Sequence, residues 1–172
     1  MALALTAFNV ALMVIAAAIF VAAAVNDAWS YRIPNYMCAL LLLLFPLFAL
    51  SAPRGVDWHQ NLAVFALVGV SGFAMFLGNL AGAGDIKLLS AASLWAGPHL
   101  IAVLLVVTAV AGGIVSIVMA VITHRRHRLA SQQTFTEEKP SLAKVPIPYG
   151  IAIATGGLAM LGMMARPILL PS

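Results

Sequence analysis

The sequence predicts an all-α integral membrane protein of about six transmembrane helices with both termini on the outer side. Three observations predict it. The chain is 63% hydrophobic and only 8% charged, whereas a soluble domain is nearer a quarter charged. At 172 residues it is too short to bury that much apolar surface in a core of its own. Its apolar residues fall into long runs separated by short polar punctuation, and its basic residues gather on alternate sides of those runs. The net charge of +4 therefore reads as membrane topology, with lipid as solvent and no nucleic-acid partner. The chain reads as one domain over 1–172.

Crossing the hydrocarbon core takes about 20 apolar residues in a helix. The first span is read over roughly 3–25. No Lys or Arg precedes it, so the basic leader region of a secretory signal peptide is missing. The second covers roughly 36–50, with Pro46 as a kink. "SAPRGVDWH" is the next turn, and the third span covers roughly 61–80. The run from Ile86 to Thr123, about 38 residues, would reach roughly 57 Å as one helix, too long for one crossing. "AGPH", residues 96–99, offers a turn that divides it into a short fourth span and a long fifth. The fourth is then short enough that either it continues past Pro98 or its start, with Asp85, lies below the membrane surface. The sixth covers roughly 148–165. Between the last two, about 124–147 is read as a flexible cytoplasmic loop, basic and then acidic, with Glu137 and Glu138 solvated within it.

Six spans place Arg32, Lys87, Arg125, Arg126, Arg128, Lys139 and Lys144 on one side, and Arg54 and Arg166 on the other. The excess of Lys and Arg makes the first side cytoplasmic. The lone cysteine, Cys38, excludes an internal disulfide and a cysteine zinc cluster. It reads as a small packing residue, and neither a metal nor a cofactor is expected.

Of the acidic residues, Asp57 falls in an outer turn, whereas Asp27 and Asp85 fall at the cytoplasmic ends of apolar runs. Ionisable groups at membrane depth are costly and are functional candidates. Either one alone reads equally well as an interfacial helix cap. Together on one face, they suggest acid–base chemistry. Two carboxylates sharing a site do not both ionise easily and hold one proton between them. One can then activate a water while the other donates to a carbonyl oxygen. Gly82 and Gly84, beside Asp85, permit a tight turn and close approach of another backbone. A small transporter or ion-pathway subunit is the alternative, since intramembrane aspartates also relay protons. That reading expects carboxylates near the midplane on paired repeats, and no repeat is evident.

"GAGDIKLL", residues 82–89, resembles the GxGD signature of intramembrane aspartyl proteases. "NDAWSYRIPN", residues 26–35, resembles the first catalytic segment of bacterial type IV prepilin peptidases. There an aspartate closes the first span and an Arg-Ile-Pro-Asn run opens the second. "VPIPYGIAIATGG", residues 145–157, resembles the opening of that family's last helix. The resemblance implies that Asp27 and Asp85 are the catalytic pair. The substrate it implies is a prepilin or pseudopilin, cleaved after a short basic leader at the cytoplasmic face of a bacterial inner membrane. Long members carry a cysteine-bearing insert between spans one and two that is linked to N-methylation. Here that loop is about nine residues without cysteine, similar to the short peptidases of the tight-adherence (Flp) pilus branch, and no methyltransferase activity is expected.

The other motif residues are candidates for shaping the site. Pro34 fixes the backbone entering span two, with Asn35 following it. Lys87 lies about 200° round a helix from Asp85 and does not pair with it directly. It and Arg32 read as anchors to lipid phosphate. Tyr149 and Gly150 would lie near the aspartates if span six packs there, the plainer reading being ordinary helix packing.

Overall fold

The computed structural model describes residues 2–52, 55–131 and 147–169. Among them every regular element is an α-helix. The helices are α1 (Ala2–Ser30), α2 (Asn35–Ser51), α3 (Trp58–Leu77), α4 (Ala83–Ser131) and α5 (Tyr149–Leu169). Leu5–Ser30, Trp58–Leu77 and Ala83–Arg125 are long and apolar enough to cross a membrane, and α2 is a shorter apolar helix. The large exposed side chains are mostly Leu, Val, Ile and Phe, with a few Trp, Tyr and Met, as helices that face lipid carry. α4 packs on α2, α3 and α5, and α1 packs on α2 and α5.

Three boundaries differ from the sequence expectation. α1 runs past Val25 through Ser30, so Asp27 lies inside the helix and does not terminate it. The turn comes at Tyr31, in the left-handed region at φ 51°, with its N–H bonded to the Asp27 carbonyl at 2.9 Å. α4 starts at Ala83, three residues before Ile86, so Asp85 stands in its first turn and is not its cap. The basic stretch after Thr123 continues the helix to Ser131 where a linker was expected. The rest of that loop, Glu137, Glu138, Lys139 and Lys144 included, lies outside the described residues, as does Arg54.

The turn expected at "AGPH" is present as a break inside α4. Gly97 has φ 55° and ψ −169°, a region open in practice only to glycine. Pro98 follows, removing a backbone donor. The break separates an arm over 83–96 from a second arm over 98–131. The first arm is the most enclosed part of the chain, with Leu88, Ala91, Ala92, Ser93 and Trp95 all at 1% exposure or less. Trp95 stacks on Phe48 with ring centroids 5.1 Å apart and meets Phe45 edge-on at 6.0 Å. Its indole N–H donates to the Leu41 carbonyl at 2.9 Å, satisfying the polar end of a buried ring.

At the far end from Asp27, Asn9 ties α1 to α2 by donating to the Ser51 carbonyl at 2.5 Å. α5 approaches its neighbours through glycine. A Cβ at Gly157 would meet the Phe20 ring at 2.8 Å, and one at Gly156 would meet the Leu104 carbonyl at 2.7 Å. Small residues at such contacts let helix backbones close in where no water drives them together.

Candidate active site

The end of α1, the start of α2, the start of α4 and the start of α5 converge at one end of the bundle. Asp27 enters this convergence from α1 and is 4% exposed. α5 begins at Tyr149, so the N–H of Gly150 is one of the donors that a helix N-terminus leaves unpaired. That N–H donates to Asp27 Oδ2 at 2.7 Å. The glycine is required sterically as well, because a Cβ there would lie 2.8 Å from both the Cβ and Oδ2 of Asp27.

Asp85 enters from the first turn of α4 and is half-buried. Its carboxylate folds back over Gly82, where a Cβ would meet Oδ2 at 2.8 Å. The loop that follows α1 lies against Gly84, next to Asp85, so the two aspartates stand at the same end of the bundle. α3, which precedes this segment, ends in a left-handed Asn79 (φ 55°) with the Leu80 N–H bonded to the Met75 carbonyl at 2.9 Å. This αL termination turns the chain sharply into the glycine-rich segment.

The α1–α2 connection fits against that segment. A Cβ at Gly84 would stand 3.3 Å from Ile33 Cβ and 3.6 Å from its backbone N, so Gly84 admits the Arg-Ile-Pro loop to the start of α4. Asn26 donates to the Arg32 carbonyl at 2.6 Å, closing the loop on itself. Pro34 has φ −63° and ψ 135°, the extended geometry from which α2 begins. Lys87 Nζ donates to Asn35 Oδ1 at 3.0 Å. The expected lipid anchor thus has a protein partner, and the bond ties the start of α2 to the arm bearing Asp85.

Of the residues singled out in the sequence, Asp27, Asp85, Gly82, Gly84, Pro34, Asn35, Lys87 and Gly150 come together here. Arg32 is exposed beside them, contributing its carbonyl to the loop. Tyr149 turns the other way, its ring near Gly112 of α4. Two participants escaped the sequence reading. From the sequence, Ile33 has an extended backbone before Pro34 but no contact with Gly84, and Asn26 has no role. Asp57 stands at the opposite end, where it caps α3 by accepting from the Gln60 N–H at 3.3 Å. Among the described residues no three His, Cys, Asp or Glu side chains gather as a metal site would need.

The arrangement pairs an enclosed carboxylate, held by a helix N-terminal amide, with a half-buried carboxylate on a glycine turn. Two carboxylates placed in this way can divide general acid and general base work between them. Residues 13–117 match the family model described as the type IV leader peptidase family. No curated protein matches the chain. No solved structure matches it either.

Proposed function

The chain belongs to the type IV leader peptidase family, and on that premise we propose that it is an intramembrane aspartyl endopeptidase whose catalytic groups are Asp27 and Asp85. Family membership makes it a membrane peptidase of prepilin leaders. The observation that supports the assignment of residues is that two distant segments, α1 and α4, bring one aspartate each to the same end of the bundle.

The proposed chemistry uses no group beyond these. The ionised carboxylate takes a proton from water as the water oxygen bonds the scissile carbonyl carbon. The protonated carboxyl gives its proton to the carbonyl oxygen. The tetrahedral diol collapses as the C–N bond breaks: the leaving amine takes a proton from the first carboxyl, and a hydroxyl proton returns to the second. The Gly150 N–H fixes the Asp27 side chain through this cycle, as preorganised donors do.

The substrate is a prepilin or pseudopilin of the Flp type, cut after its basic leader at the cytoplasmic face of a bacterial inner membrane. Arg32, Lys87 and Arg125 fall on the dyad's side under the six-span reading. Trp29, Tyr31 and Tyr36 are exposed near it, as aromatic residues are at a membrane interface. The Ala83–Arg125 stretch of 43 residues would reach about 65 Å unbroken, roughly twice the hydrocarbon thickness. The break at Gly97 accommodates two crossings, giving six spans in one multi-pass domain with both termini outside. The α1–α2 loop is only Tyr31–Pro34, so no methyltransferase activity is proposed. Co-expression with a candidate Flp-type prepilin, followed by mass spectrometry of the pilin N-terminus, tests the reading. Loss of the leader only when this protein is present is the expected result. An intact leader with every prepilin of the same genome would contradict it.

A further inference from the structure

The arm that carries Asp85 ends at Gly97, and its last turn is held from two sides. Asn61 of α3 is 7% exposed, the only buried residue of that helix. Its Nδ2 donates to the Leu94 carbonyl at 2.8 Å. Leu94 sits three residues before the break, where carbonyls lose their partners in the next turn. The amide also lies against Gly97: a Cβ there would come within 2.6 Å of Asn61 Oδ1 and 2.8 Å of Nδ2. From the other side, Trp95 is fixed to α2 through the Leu41 carbonyl. A buried amide among apolar residues costs stability unless it bonds, and here it is the one buried residue that α3 brings to the contact. We infer that Asn61 is a positioning residue for Asp85: its amide, bonded to Leu94 and seated on Gly97, sets the rotation and tilt of the 83–96 arm and so the placement of the carboxylate at its other end.

The lever makes small errors matter. A side-chain tip lies about 5 Å from a helix axis, so a rotation of about 10° moves it by roughly 1 Å. A misplacement of about 1 Å can cost roughly a hundredfold in rate. The start of the arm is held by the exposed Lys87–Asn35 bond, by the Gly84–Ile33 contact and by Ile86 against Gly72 of α3, and the amide at the buried end adds the polar, directional constraint on its rotation. The inference rests on the dyad reading for its catalytic consequence, though not for its structural one.

The test compares Asn61→Leu and Gly97→Ala with Asn9→Leu. Asn9 is also a buried asparagine, 1% exposed and bonded to a helix-end carbonyl, but its hydrogen bonds go to Leu5 and Ser51 and join α1 to α2. Purified full-length protein in a Cys38→Ser background carries spin labels at Trp29→Cys and Ala83→Cys, and the distance between them is measured with and without each substitution. Cleavage of a prepilin is followed in unlabelled variants. Asn61→Leu and Gly97→Ala should each shift or broaden the distance and lower kcat at least tenfold with KM within about twofold. Asn9→Leu should lower the melting temperature while leaving the distance and kcat as in the parent. An unchanged distance in Asn61→Leu overturns the inference whatever happens to kcat, as does an equal loss of kcat in Asn9→Leu. A shifted distance with unchanged kcat upholds the positioning role and overturns the dyad reading. If Asn61→Leu does not accumulate, Asn61→Ala, which removes the same amide without strain at the break, is judged by the same criteria.

Discussion

The Gly150 N–H reaches Asp27 Oδ2 at 2.7 Å across 123 residues of sequence, so the first turn of α5 is fitted to the last turns of α1. The contact combines a helix-end donor with a position that only glycine can occupy. A methyl group there would press on Asp27 Cβ, Cγ and Oδ2 at 2.8–3.0 Å.

Gly150→Ala is therefore expected to displace the Asp27 side chain while leaving α5 intact, because alanine favours helix. Overpacking of this kind costs about 1–3 kcal/mol. Prepilin processing should fall at least about tenfold at near-normal membrane abundance. Immunoblotting of precursor and mature pilin in co-expressing cells, with the peptidase quantified in the same membranes, checks this. Full processing would show that the Asp27–Gly150 fit is incidental.

The Lys87–Asn35 bond predicts a coupling. Exposed charged contacts contribute about 0.2–1 kcal/mol, so Lys87→Met and Asn35→Ala should each slow processing by a few-fold. The double variant should be little slower than either single one, as expected of partners in one interaction. A double-mutant cycle on initial cleavage rates measures this. Strictly multiplicative losses, or an inert Asn35→Ala, would return Lys87 to the role of a lipid anchor.

Membrane sidedness gives a third prediction. With the dyad's end inside, a single cysteine replacing His59, which is exposed at the start of α3, should face out in a Cys38→Ser background. One replacing Ser131, the last residue of α4, should face in. An impermeant thiol reagent on intact cells should label position 59 and spare 131 until the cells are lysed. The reverse pattern would invert the topology.

Much of this was legible in the sequence because membrane constraints are severe. The runs around Phe20, Leu41 and Val70 have to be helices in lipid, and Gly97-Pro98 has to interrupt a stretch too long for one crossing. Asp27 and Asp85 stood out because carboxylates are rare in such surroundings. What the sequence hid were matters of register. Whether α1 ended before or after Asp27 depended on Tyr31 adopting the left-handed region, which no composition signals. Lys87 was read by its own helix geometry, but its partner, Asn35, comes from another helix 52 residues away. Asn61 gave no sign in one dimension, since its importance lies in facing a break in a different helix. Tyr149 and Gly150 are adjacent yet point to different neighbours, a distinction that only the packing of α5 decides.

The central claim is that Asp27 and Asp85 act as one unit, and it is tested most directly by Asp27→Asn, Asp85→Asn and the double variant, measured on cleavage of a cognate prepilin with the N-terminus read by mass spectrometry. Asparagine keeps the shape but cannot exchange the proton. Each single variant should lose processing while remaining inserted and abundant, and the double should be no worse, because groups acting as a unit are strongly non-additive. Asp57→Asn, at the opposite end, should cleave as the parent does. The parent's cleavage rate should follow a bell-shaped pH profile whose two limbs belong to the pair. Near-parental cleavage by either single variant would contradict the account, as would an essential Asp57 with a dispensable Asp85.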